Sequence, residues 1–212
     1  ARMKGDFNLS AGDILQILVG QKPTQSLFNG GGGGTFVAKG ASHANATALI
    51  VAGGGGSHRS NYSASGFEDL LDGITGTAGV TTTYAGGTNG GGGGADTDSP
   101  HGGGGAGFTG NGSFPSLTGY SPAYSFQNGG VGGSYEYSST YTTEGGFGGG
   151  GAGGWIGTGG GGGYSGGGAG DNGGGVRAQG GGGGSYNTGT NKDNTAGANE
   201  GHGKVTITFV GN

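Results

Sequence analysis

The sequence predicts a mainly irregular and β fold: a small antiparallel sheet built from the chain ends, a polyglycine II helical bundle, and one short α-helix. Three observations predict it. Glycine fills 67 of 212 positions, and runs of similar length recur at 30–34, 53–56, 90–94, 102–105, 159–163 and 180–184. Leu, Ile, Val and Phe together number only 31, too few for an ordinary apolar core in a chain this long. Apolar residues nevertheless sit within or between the runs, at Phe108, Val131, Phe147, Trp155, Ile156, Tyr164 and Val176, where a flexible linker would carry Ser or charge.

Gly-X-Y periodicity is absent and there are only 4 Pro, which excludes collagen. What remains is polyglycine II, a left-handed helix with three residues per turn, a rise of about 3.1 Å and no internal hydrogen bonds. Its N–H and C=O groups point outward and can bond neighbouring helices, and only glycine lets the backbones come that close. A five-residue run such as 30–34 would span roughly 15 Å. The densest stretch, 145–184, is expected at the centre, and the whole glycine-helix body over 30–34, 53–56 and 86–184.

The β segments follow in order. Residues 4–19 read as two strands joined by a turn: Phe7 and Leu9 alternate with polar neighbours, Ser10-Ala11-Gly12-Asp13 turns, and Ile14, Leu15, Ile17, Leu18 and Val19 form an apolar strand. Segments 35–38 and 48–52 leave the first glycine run and enter the second. Segment 204–210, KVTITFV, sets Val205, Ile207 and Phe209 on one face and Thr206 and Thr208 on the other. Both chain ends are thus expected to pair in one sheet, so that residues 1–212 form a single glycine-rich domain. Ser65-Gly66-Phe67-Glu68 is a capping-box pattern, and Phe67, Leu70, Leu71 and Ile74 follow at helical spacing, which places the helix before Gly73.

Composition excludes several functions. There is no cysteine for disulfides or thiolate chemistry. The net charge of −4 without a basic cluster argues against nucleic acid, and no apolar run is long enough to span a membrane. Gly163-Tyr164-Ser165-Gly166-Gly167 matches a nucleophile elbow, but in so glycine-rich a chain the match carries little weight. Asp96 and Asp98 after Gly94 fit one copy of a calcium nonapeptide, which needs tandem copies to share ions, so a solvated loop is expected. Glu68, Asp69 and Asp72 read as the polar face of the helix, and His43, His58, His101 and His202 lack ligand spacing. Asn8, Asn45, Asn61 and Asn111 begin glycosylation sequons. No catalytic residue, metal or cofactor is expected, and the chain is read as not an enzyme.

Two insertions between the runs, Thr109–Gln127 and Ser134–Glu144, are rich in aromatics. Tyr120, Tyr124, Phe126, Tyr135, Tyr137 and Tyr141 are the candidate binding residues, because tyrosine offers a large amphipathic area at small entropic cost beside adaptable Ser, Thr and Asn. The competing reading is that they shield the edges of the glycine bundle.

The segments GGGGGTFVAKG (30–40) and ALIVAGGGG (48–56) resemble the glycine-rich extracellular domain of anaplastic lymphoma kinase and leukocyte tyrosine kinase receptors. LSAGDILQILVGQ, GGFGGGGAG, GGGGGYSGGG and HGKVTITF extend the resemblance over almost the whole chain. It implies a polyglycine II lattice joined to a tumour-necrosis-factor-like β module, with a further β segment before the point corresponding to Gly5. An adjoining segment or further copies would then complete the sheet. The receptor domains carry disulfides and this chain has none; similar domains occur in bacterial and phage surface proteins, including tail-fibre adhesins. The expected function is an extracellular or virion-surface recognition and adhesion module whose partner is a cell-surface protein or glycan. The alternatives are a structural subunit or spacer of a surface filament, or a receptor-kinase ectodomain; ice binding would need a flat regular face, which the irregular loops argue against.

Overall fold

The structure is a computed structural model that describes residues 1–24, 30–59, 66–138, 141–173 and 175–211. Among the described residues it is mainly sheet and irregular backbone, with two small antiparallel sheets and no long helix. The first sheet has the order β1-β2-β3-β7, from Leu15–Leu18, Thr35–Lys39, Thr47–Ala52 and Tyr186–Asn187. The second has the order β4-β5-β6, from Tyr120–Ser121, Ser134–Ser138 and Tyr141–Glu144.

Strands β1, β2 and β3 lie where apolar, β-branched runs place them, and the turn before β1 is closed by Asp13. Its backbone N–H donates to Ser10 O at 3.0 Å, and its carboxylate accepts from Ser10 N–H and Lys39 Nζ. The register Leu18↔Phe36↔Val51 stacks three apolar side chains on one face. There they meet Phe108 and Phe126, delivered by the glycine-rich body, with ring centroids 4.9 Å apart and Phe126 5.1 Å from Phe36. Tyr164 and Tyr186, stacked at 4.3 Å, extend this cluster.

The chain ends differ from the expectation. Residues 4–9 do not pair with β1; Arg2 and Asp6 bridge to Thr195 and Thr190 instead. Segment 204–210 joins neither sheet and bonds to no other described residue, although Gly203 N–H donates to Gly20 O just before it. The alternation of its side chains is local and legible, whereas pairing depends on the tertiary structure, which brings no described strand beside it. The helix α1, Glu68–Leu71, is a single turn. Its N-cap is Phe67, with no side-chain cap bond, and not Ser65 as the capping-box pattern predicts; Glu68 accepts from Gly66 N–H at 2.9 Å, and Ser65 lies outside the described residues.

Between the sheets the glycine segments bond to one another in a repeating way. Gly31 and Gly34 both donate to the stretch 148–151, whereas Gly32 and Gly33 donate to Gly55 and Gln21. Gly160 and Gly163 both reach 103–106, with Gly161 and Gly162 going to Gly181 and Gly32. Gly180 and Gly183 both reach 54–57, and Gly181 and Gly184 both reach 165–168. A segment thus returns to the same neighbour after three residues and touches others in between.

At most run positions the spacing leaves no room for a side chain. A Cβ at Gly162 would lie 2.2 Å from Gly148 O, and one at Gly183 2.2 Å from Gly162 O. At two positions a hydroxyl takes the place of a peptide group: Ser57 Oγ accepts from Gly159 N–H and donates to its carbonyl, and Ser185 Oγ accepts from Gly53 N–H. Gln179 is fully buried with neither amide atom hydrogen-bonded among the described residues.

Replacing Gly162 by Ala should therefore cost about 3 kcal/mol or more, since backbone on several sides must shift. Gly201→Ala, with nothing within 4 Å, should stay within about 0.5 kcal/mol. Thermal unfolding of the two variants beside the parent checks this; equal melting temperatures would rule out close packing at Gly162.

Candidate functional site

The two aromatic insertions divide between interior and surface. Tyr120 and Tyr135 face each other across β4 and β5, with rings stacked at 3.8 Å and each about 8% exposed. The Tyr120 hydroxyl donates to His101 O at 2.9 Å, and burial pushes its pKa far above the ordinary tyrosine value. Phe126 lies in the cluster with Phe36 and Phe108. These three of the six candidate residues are buried in the two aromatic clusters, so their rings have little surface to present. Tyr137 and Tyr141 belong to β5 and β6, and their side chains lie outside the described residues. Tyr124 alone among the described candidates is exposed, at 38%.

Tyr124 has exposed apolar company that comes from outside the insertions. Its N–H donates to Val131 O, and Gly130 O accepts from Gly148 and Gly149 N–H, which ties this turn to the turn bearing Phe147. Phe147 O in turn accepts from Gln21 N–H at 2.7 Å and sits beside the end of β1. Strand alternation sends Leu18 into the core and leaves Ile17 and Val19 outside. The result is an open groove of about 410 Å3 lined by Ile17, Val19, Phe126 and Phe147 with Gln16, Gln21 and His43 at its polar positions. Val131 and Phe147 are each flanked by glycine pairs, and this was the available signal: a side chain whose neighbours are tied into close-packed backbone has only the outside to occupy.

A second polar cluster joins Tyr84, Asp96 and His101. Asp96 Oδ2 accepts from the Tyr84 hydroxyl at 3.1 Å and lies 3.1 Å from His101 Nδ1. Its Oδ1 accepts from Asp98 N–H, and this bond, followed by those from Tyr84 and His101, holds the carboxyl below its usual range. Burial and then Asp96 push the Tyr84 hydroxyl up to about 12. The bonds to Asp98 and His101 hold the loop 96–101 to itself and the bond from Tyr84 ties it to the preceding segment, and among the described residues no group of three or more His, Cys, Asp or Glu could hold a metal ion. Ser165 is fully buried and accepts from Gly90 N–H, so the G-x-S-x-G match lies inside the glycine body.

Asp171 is the buried acid of the described chain. Burial alone would raise its carboxyl, but bonds from Arg177 (2.9 and 2.5 Å) and Gly173 N–H outweigh that and hold it below the ordinary value.

These observations define a class by architecture: two small β-sheets joined by a glycine body in which backbone replaces side chains as the packing material. No protein-family model matches the chain, and no curated protein matches it either.

Two outcomes test the site. Tyr120→Phe should destabilise the fold by about 1 kcal/mol through the lost bond to His101 O, and Tyr124→Ser should stay within about 0.5 kcal/mol; denaturant unfolding measures both. A depressed folded pKa at Asp171 adds stability that is complete above the unfolded value of 3.8 and is lost as pH falls through the lower, folded value. Melting temperature should thus drop below about pH 4 in the parent, with a shallower drop in Asp171→Asn.

Proposed function

We propose that the glycine segments form a polyglycine II bundle and that this bundle is the rigid scaffold of a non-catalytic recognition module. The observation that carries the reading is the return of hydrogen bonds to the same neighbouring segment after three residues, at 31/34, 160/163 and 180/183. Three residues per turn is the period of the polyglycine II helix and differs from the two of a strand and the 3.6 of an α-helix. A scaffold of this kind has no side chains to rearrange, so surface residues are held at fixed separations.

The surface it would present is the apolar patch of Tyr124, Val131, Phe147, Ile17 and Val19, all between 38% and 53% exposed. Aromatic and aliphatic anchors around a groove with amide rims suit a cell-surface protein or the apolar face of a glycan ring. The resemblance to receptor and phage glycine-rich domains agrees with a place outside the cell or on a virion, and the expected binding loops are joined there by the end of β1.

The test is binding of the purified domain to intact cells and isolated envelope components. The parent should bind saturably, and Tyr124→Ser with Phe147→Ser should weaken binding about tenfold or more at unchanged melting temperature. Absence of saturable binding by the parent, or full binding by the double variant, overturns the assignment of this patch.

A further inference from the structure

Segment 204–210 lies in no helix or strand, has no residue with a positive φ, and its backbone N–H and C=O groups bond to no other described residue. Ile207 is 61% exposed and Phe209 82%, on the same face as Val205. An apolar stripe of period two on an unpaired backbone calls for another β-strand, because only an extended chain meets alternating donors and acceptors while covering alternate side chains.

We propose that this segment pairs antiparallel with the same segment of a second copy of the chain, forming a symmetric dimer. The register that centres on Ile207 places Ile207 opposite itself, Val205 opposite Phe209 and Thr206 opposite Thr208. Those are aliphatic, aromatic–β-branched and Thr–Thr pairs, each a favourable cross-strand combination. Charge is compatible: Lys204 is the single charged residue of 204–210, and the two-fold sets the two lysines at opposite ends of the ribbon, roughly 20 Å apart.

A two-stranded ribbon alone is marginal in water. Here it would start from the anchor of Gly203 on Gly20, next to Val19, and Gly203 also lies against Thr35 at the start of β2. The sheet face away from Leu18 and Phe36 carries the cross-strand row Ile17, Val37 and Ile50, which is only partly covered. The ribbon's apolar side thus has an apolar surface beside its root. The ribbon would lie beside Ile17 and Val19, which also belong to the recognition patch, but the two proposals are read by different residues, Ile207 and Phe209 here and Tyr124 and Phe147 there.

The chain has no native cysteine, so directed crosslinking reads the register. In the proposed pairing, opposed Cα atoms at residue 207 stand about 4.5–5.5 Å apart, within disulfide reach, whereas two copies of residue 205 are roughly 13 Å apart. On mild oxidation of the full chain, I207C should therefore crosslink between copies and V205C should not. Sedimentation equilibrium should show a dimer for the parent and a monomer for I207D/F209D, with circular dichroism and melting of the monomeric unit unchanged because both side chains are exposed. A parent that stays monomeric throughout the concentration range, equal crosslinking of the two cysteine variants, or a dimer that survives I207D/F209D would each overturn the proposal.

Discussion

Contact between glycine backbones is the constraint on which the rest of this molecule depends. Glycine loses more conformational freedom on folding than alanine, a difference of about 0.5–1 kcal/mol per residue, and a buried peptide hydrogen bond contributes about 0.5–1.5 kcal/mol net. The two are of one size, so each glycine is close to neutral by itself. Order in the glycine body therefore depends on its bonds forming together, with Gly31, Gly32, Gly33 and Gly34 each donating to a different partner residue. The same closeness that makes these bonds explains why a Cβ at most of the run positions would meet a carbonyl at about 2 Å.

Apolar clusters at the margins supply what the body lacks. Phe108 and Tyr164 leave glycine runs and meet Phe36, Phe126 and Tyr186 at the first sheet, so the segments that carry them are pinned by ring packing. At the second sheet Tyr120 and Tyr135 stack with Ala152 against them and Phe114 nearby. Such aromatic pairs add about 0.5–1.5 kcal/mol beyond area burial. Buried hydroxyls at Ser57, Ser165 and Ser185 satisfy backbone groups without widening the packing.

This division of labour also separates stability from any recognition role. Residues that face the interior cannot be exchanged freely, while Tyr124, Val131 and Phe147 stand on short turns whose backbone is tied down on either side. Their side chains can vary without disturbing the bonds that hold the turns. Assembly through 204–210 would use a segment that, among the described residues, is held only by the bonds of His202 and Gly203 just before it.

Much of the β architecture was legible in the sequence because its signal is local. Alternation and β-branching placed β1, β2 and β3 within a residue or so of where they lie, and the recurrence of equal glycine runs announced ordered backbone. The three-stranded sheet was not anticipated, although Ser134-Tyr135-Glu136-Tyr137-Ser138 alternates with period two, because composition drew attention to tyrosine as a surface residue. Nor could the sequence say which aromatics are buried: Tyr120, Tyr124 and Phe126 occupy one short insertion, yet only Tyr124 is exposed. The sequence by itself determined that this chain must pack backbone on backbone, since it holds too few large apolar residues to do otherwise. Only the tertiary structure decided which run neighbours which, since all glycine runs are chemically alike and their partners are chosen by the apolar residues at their ends.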